Sequence, residues 1–331
     1  MRILKVSVKR NIIIIAILAG AVACTKDTST EDRQEQELRY FDIYRTVNYP
    51  EAEAYPDGLY YQEQRAGNGL SPDEDDWMLL NYVGYEIPGD KVFVSYIENV
   101  AKDNGLDPNG VALYGPFKMM NGRVNDGFTR GVSLMREGGQ GTILFSSELG
   151  YGSSGNSSID PFTSLKYEIE LLEVIEDIDL YEQSRIDAYI DTIANYDTIV
   201  EAGTGAVMYY IIDQATDGEE IVEDSAVSLA YTGMLLDGRV FDEADADNPF
   251  EFTVGDADVN LILGWNLGLM KLKEGEKARL LIPYPLAYGE NGETDATSGL
   301  RTIPPYETLL FYIEVLQVGG TIETDKPDPD A

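Results

Sequence analysis

The sequence predicts an α+β protein made of two copies of one domain, each an antiparallel sheet wrapped on a short helix and preceded by a helical segment. Three observations lead there: a pattern repeated at a fixed offset, strand-like runs broken by turn residues, and one short apolar-periodic stretch between strands. At 331 residues and 44% hydrophobic, the chain can bury two cores.

The repeat is legible in order. "GLYYQEQ" (58–64) and "MLLNYVG" (78–84) parallel "AVMYYII" (206–212) and "VSLAYTG" (227–233), with Tyr60 and Tyr209 separated by 149 residues, as are Tyr82 and Tyr231. "GPFK" and "NPFE", "DGFTRGV" and "LGWNLGL", "LGYGSS" and "LAYGEN", and "SIDPFTSLKYEIELLEV" and "TIPPYETLLFYIEVLQV" continue it. A duplicated domain explains this conserved order.

In the second copy "VMYYII", "AVSLAYTGML", "FEFTV", "KARLLIP" and "TLLFYIEVLQV" read as strands, being rich in β-branched and aromatic residues between turn formers. Leu309, Phe311, Ile313 and Val315 alternate onto one face, so that face is covered. "VNLILGWNLGLM" places Ile262, Trp265 and Leu269 on one side of a short helix, and Asp237-Gly238 suits a tight hairpin turn in which both positions tolerate positive φ. Tyr40, Ile43, Tyr44 and Val47, and likewise Ile186, Tyr189, Ile190 and Ile193, have helical spacing. These stripes pack on their own domains or act as spacers; dimerisation through them is the alternative.

The expected segments are a signal at 1–23, a flexible tether at 24–36, a first domain with its leading helix at 37–175, a linker helix at 176–204, a second domain at 205–318 and a disordered tail at 319–331. Arg2, Lys5, Lys9 and Arg10 precede an apolar run from Ile12 to Ala23 that is too short for an ordinary spanning helix and reads as an export signal. "AVAC" resembles the lipobox of bacterial lipoproteins, with Ala21 where leucine is commoner. That resemblance implies cleavage before Cys24, lipidation of Cys24 and attachment to the bacterial cell envelope, with the outer membrane as the expected site. A plain secretory signal is the alternative. Cys24 is the only cysteine, so it has no disulfide partner within its own chain.

The net charge of −35 becomes −39 once the signal is removed, because the signal carries four of the 24 basic residues and none of the 59 acidic ones. Such a chain repels phosphate backbones, which excludes nucleic acid as the expected partner. The acidity reads as a solubilising surface, with attraction of basic clients as the alternative. With no histidine, neither a histidine-based triad nor an imidazole metal site can form. "GGQG" and "GTG" lack the context of a dinucleotide fingerprint, and Pro249 breaks any calcium-loop reading of "DEADADN". No cofactor and no metal are expected.

"YTGMLLDGRVFD", "NPFEF", "LGWNLGL", "AYG" and "TIPPYETLLFYIEVL" in family order make the second copy resemble the FKBP-type peptidyl-prolyl isomerases over roughly residues 205 to 318. The resemblance implies a proline pocket with Trp265 as its floor and Tyr231, Phe241, Phe250, Ile262, Tyr288, Ile303 and Phe311 as its walls. It places Asp242 at the edge, and has the Ile303 N–H and the Tyr288 hydroxyl hold substrate carbonyls. Tyr231, Asp242, Trp265 and Tyr288 are the expected catalytic group, and proline-containing polypeptides the expected clients. Thr302 and the long "GENGETDATSGLR" (289–301) depart from the family pattern.

The inventory needs no general base. Amide rotation meets a barrier of roughly 18 to 20 kcal/mol set by resonance, and resonance separates charge, so a dry aromatic pocket disfavours the planar amide. Removing about 5.5 kcal/mol accelerates rotation on the order of 10⁴-fold.

The first copy keeps Tyr82, Phe93, Phe117, Phe128, Tyr151, Ile159 and Tyr167 but has Val94 for the acid and Phe128 for the tryptophan. Its expected role is structural or peptide-holding. The whole reads as a folding helper for exported proteins, active mainly in its second domain. The rivals are a non-catalytic lipoprotein holding proline-containing segments or bridging partners, and an adhesin or scaffold. The sequence leaves oligomeric state open.

Overall fold

The computed structural model describes residues 29–319 apart from 108, 109, 111, 257, 260, 298 and 299. The signal, Cys24 and residues 320–331 of the tail lie outside the described residues. In the first half, helix α1 (Thr30–Asn48) leads into β1 (Glu53–Tyr55), β2 (Leu59–Arg65), β3 (Trp77–Ile87), β4 (Lys91–Ser95), α2 (Glu98–Asp103), β5 (Phe117–Met120), α3 (Asp126–Val132), β6 (Gln140–Phe145) and β7 (Ser164–Ile175). Helix α4 (Ile178–Ile190) opens the second half. It is followed by β8 (Asp197–Val200), β9 (Val207–Gln214), β10 (Ala226–Leu235), β11 (Val240–Ala244), β12 (Phe250–Thr253), α5 (Leu263–Leu269), β13 (Lys277–Ile282), β14 (Glu293–Thr294), β15 (Arg301–Ile303) and β16 (Leu309–Val318).

The two large sheets have one topology. The order β1-β2-β6-β7-β3-β4, with β5 on β3, is repeated as β8-β9-β13-β16-β10-β11, with β12 on β10. Every pairing is antiparallel. The chain is therefore α+β with two copies of one antiparallel-sheet domain, as expected.

One helix lies across each sheet at close range. A Cβ added at Gly127 or Gly131 of α3 would stand 2.5 Å from the Phe145 ring or 2.4 Å from Ile143, and one at Gly264 or Gly268 of α5 would stand 2.3 Å from Ile282 or 2.5 Å from Leu280. Each helix thus needs two glycines to press its aromatic residue, Phe128 or Trp265, into the core.

Four expectations are corrected. Helix α1 begins at Thr30, not after a tether ending at 36, because Ser29 and Asp32 form a capping box. The buried face of α1 is Glu37, Phe41 and Tyr44, while Tyr40, Ile43 and Val47 are exposed. Glu37 turns the helix: its carboxylate accepts from the Ser147 N–H and from the Ser147 and Ser164 hydroxyls at 2.6–2.7 Å. The 176–204 linker is helical only over α4, which buries Ile186 and Ile190 against Leu281 and Leu310, and its later part supplies β8 to the second sheet. In the β10–β11 hairpin only Gly238 takes positive φ (89°). Its N–H bonds to the Leu235 carbonyl at 2.9 Å, so the tight turn is closed by the glycine alone, and Asp237 does not use the positive φ open to it.

Candidate active site

Strands β10 and β11 face Gly233 towards Asp242 in register. A side chain at Gly233 would collide with the rings of Phe241 and Phe311, both 2.8 Å from an added Cβ. This bare backbone lets the hairpin carry Phe241 and Asp242 beside Phe311 of β16 and Trp265 of α5. The indole is 4% exposed and meets Tyr231 edge-on at 5.0 Å, Phe311 at 5.1 Å and Phe250 at 6.1 Å between ring centres. Phe241 stands edge-on to Phe311 at 5.6 Å. These edge-to-face geometries suit aromatic quadrupoles and hold the rings rigidly.

Around the buried indole, Tyr231, Phe241, Phe250, Ile262 and Tyr288 remain partly exposed. Asp242 is exposed at the edge and accepts the Tyr231 hydroxyl at 2.5 Å. The phenol of Tyr231 is pushed above its ordinary value first by burial, then by the hydrogen bond to Asp242 and its charge. Burial, with the charges of Glu293 and Asp242, raises Tyr288 in the same direction. The eight aromatic and aliphatic residues expected in the second copy lie in or against one core, with Asp242 bonded to Tyr231 at its edge, and Phe311 and Ile303, like Trp265, are buried. Ile303 lies in the β14–β15 ribbon opposite Glu293 with its side chain buried in the same cluster.

In the first domain Tyr82, Phe128 and Tyr167 pack together with centres 5.1–6.3 Å apart, and Phe93 stands edge-on to Tyr167. Phe117 and Ile159 join the same cluster, and Tyr151 packs at its margin. Val94 faces Gly84 in β4 as Asp242 faces Gly233 in β11. Tyr96, which the sequence did not single out, stacks on Phe117 at 4.1 Å and lies 5.9 Å from Tyr82. Arg301 from the second domain stands 5.9 Å from the Phe117 ring centre.

The profile described as FKBP-type peptidyl-prolyl cis-trans isomerase matches residues 71–172 and 218–316. The chain belongs to that family. FK506-binding protein 1 of Saccharomyces cerevisiae is 46% identical over 93 residues, covering 28% of this chain and 75% of that one. The Escherichia coli FKBP-type isomerase FkpA is 34% identical over 145 residues, 43% of this chain and 49% of the relative. The crystal structure of a Pseudomonas syringae peptidyl-prolyl cis-trans isomerase aligns at 26% identity over 45% of this chain and 98% of its own, with a TM-score of 0.36.

As an FKBP-type isomerase, the chain has peptidyl-prolyl cis-trans isomerase activity and acts on proline-containing polypeptides. Both matched intervals begin after β2 and β9, so α1, β1 and β2, and likewise α4, β8 and β9, lie outside them although β2 and β9 are internal strands of the two sheets. Sequence reading also missed a spacing. Phe93 and Phe117 are 24 residues apart where Phe241 and Phe250 are nine apart, and this insertion in the first FKBP domain reaches the second.

Proposed function

We propose that the second FKBP domain is the principal isomerase, with Tyr231, Asp242, Trp265 and Tyr288 acting on the prolyl amide and Phe241, Phe250, Ile262, Ile303 and Phe311 holding its flanks. The observation that carries this reading is the buried Trp265 indole ringed by partly exposed aromatics, with a hydrogen-bonded carboxylate at the rim. A proline ring seated on the indole leaves its amide in a medium of low polarity. There the charge-separated planar form loses solvation, and fixed walls favour the twisted one. No proton changes hands.

The first domain is assigned to holding polypeptide. Val94 at the carboxylate's register, Tyr96 stacked on Phe117 and Arg301 above the same ring support that division.

Residues 1–23 direct export, Cys24 carries the lipid, and the protein serves the folding of exported clients at the bacterial outer membrane. The support is the basic cluster, the apolar run and the small residues before a lone cysteine. Incorporation of a labelled fatty acid that persists in Cys24→Ser would end this part of the reading.

The catalytic division is tested in the full chain by exchange spectroscopy on a prolyl peptide. Asp242→Val, which copies the first domain's residue, and Trp265→Leu should each lower kcat/KM by at least about tenfold. Undiminished exchange in both would move catalysis elsewhere.

A further inference from the structure

The insertion of the first domain crosses to the second domain beside its proposed site. Leu113 donates its backbone N–H to the Arg301 carbonyl at 3.3 Å, and its half-buried side chain packs against the second domain's hydrophobic core, the core to which Trp265 belongs and on which Tyr231, Phe241 and Tyr288 also pack. The carbonyl of the next residue, Tyr114, accepts from Arg239 Nη1 at 3.3 Å. A Cβ at Gly115, whose φ is +124°, would stand 2.9 Å from Arg239 Cδ, so the backbone lies directly on that side chain.

These two anchors lie on either side of the proposed site. Arg301 begins the strand that ends at Ile303, and Arg239 sits in the hairpin just before Phe241 and Asp242. Residues 113–115 therefore run between the Ile303 edge and the Phe241 edge. The strap is braced from behind, since Asp107 accepts both the Ala112 N–H at 3.1 Å and the Tyr114 hydroxyl at 2.8 Å. The exchange is mutual: Leu300 of the second domain lines a cavity of about 390 Å³ in the first, beside Phe93, Val94, Tyr96 and Tyr114.

We propose that Leu113 is a specificity-determining residue of the second domain's cleft, an apolar wall lent by the first domain that contacts the side chain next to the substrate proline. The inference rests on the assignment of catalysis to the second domain. A wall held at both ends contacts substrate without first having to be ordered, so its contact is retained in binding energy. Leucine at this place favours a bulky apolar neighbour of proline over a small or acidic one.

The test uses the full chain and peptides in which alanine, leucine, phenylalanine or glutamate precedes proline. Leu113→Ala should lower the ratio of kcat/KM for the leucine peptide over the alanine peptide by about tenfold, and Leu113→Met should restore most of it. Arg239→Ala, which loosens the strap while leaving Leu113 in place, should move the ratio in the same direction. Equal losses on every peptide, or unchanged ratios in an active protein with wild-type unfolding, overturn the role of Leu113. A wild-type chain that exchanges none of the peptides overturns the second-domain assignment as well.

Discussion

Tyr231 and Asp242 are joined across the β10–β11 hairpin by a hydrogen bond of 2.5 Å from hydroxyl to carboxylate. The bond fixes the carboxylate at the rim and keeps the phenol turned towards it while the Tyr231 ring packs on Trp265. Hydrogen bonds to charged groups are worth about 1.5–3 kcal/mol, less where water reaches them. Tyr231→Phe should therefore lower kcat/KM by about tenfold with little change in the unfolding midpoint. Full activity in that variant would show that Asp242 needs no fixed orientation. The chain has no histidine, and Tyr231 and Tyr288 both titrate above the ordinary tyrosine range. The rate should thus be flat between about pH 6 and 9, and a bell-shaped profile centred near neutrality would contradict this mechanism.

The hairpin, the short helix and the closing strand were legible because their constraints are local: alternation in 309–315, a glycine at the turn, and aromatic residues at fixed intervals in both copies. The face of α1 was not legible from its apolar spacing. Glu37 is polar, and the groups that satisfy it, on Ser147 and Ser164, come from more than a hundred residues further along the chain. Glu182 of α4 is likewise buried and accepts the Thr308 N–H, so each leading helix docks through one carboxylate that hydropathy discounts. The strap at 113–115 has no periodicity; its only sequence trace is the unequal spacing between paired phenylalanines.

The carboxylate of Glu182 also ties the domains together. Lys118 of β5, 2% exposed, reaches Glu182 at 2.6 Å and Glu307 at 2.9 Å, and Arg185 bridges the same two carboxylates at 2.9 Å each. Lys118→Met leaves two buried carboxylates sharing one arginine and should cost about 3 kcal/mol. Adding Glu182→Gln and Glu307→Gln should recover part of that loss, read by calorimetry. Burial alone would raise the Glu182 carboxyl, but Lys118 and Arg185 outweigh it and hold it below its ordinary value. A depressed carboxyl contributes stability that is present above pH 4.5 and is lost as pH falls through its folded value. Acid should therefore loosen the junction, splitting one thermal transition into two. A junction that survives in Lys118→Met with unchanged melting would assign docking to the apolar contacts instead.

At the alkaline end the tyrosines act with the opposite sign. Burial, aided by the Glu63 charge, pushes Tyr61 from 10.0 up to about 12. Burial likewise drives Tyr82 and Tyr167 of the first domain's ring cluster well upward. A group that holds its proton more tightly when folded contributes stability that is complete below the unfolded value of 10.0 and disappears as pH rises through the folded one. Stability should therefore fall steadily above pH 10.0 as the unfolded chain loses phenol protons that the folded chain keeps. The second domain carries Phe311 in β16 where the first carries Tyr167 in β7. Tyr167→Phe should consequently reduce the steepness of alkaline unfolding, followed by phenolate absorbance together with circular dichroism. If phenolate forms in these rings while the fold persists, the cluster is open to water and this account of its packing fails.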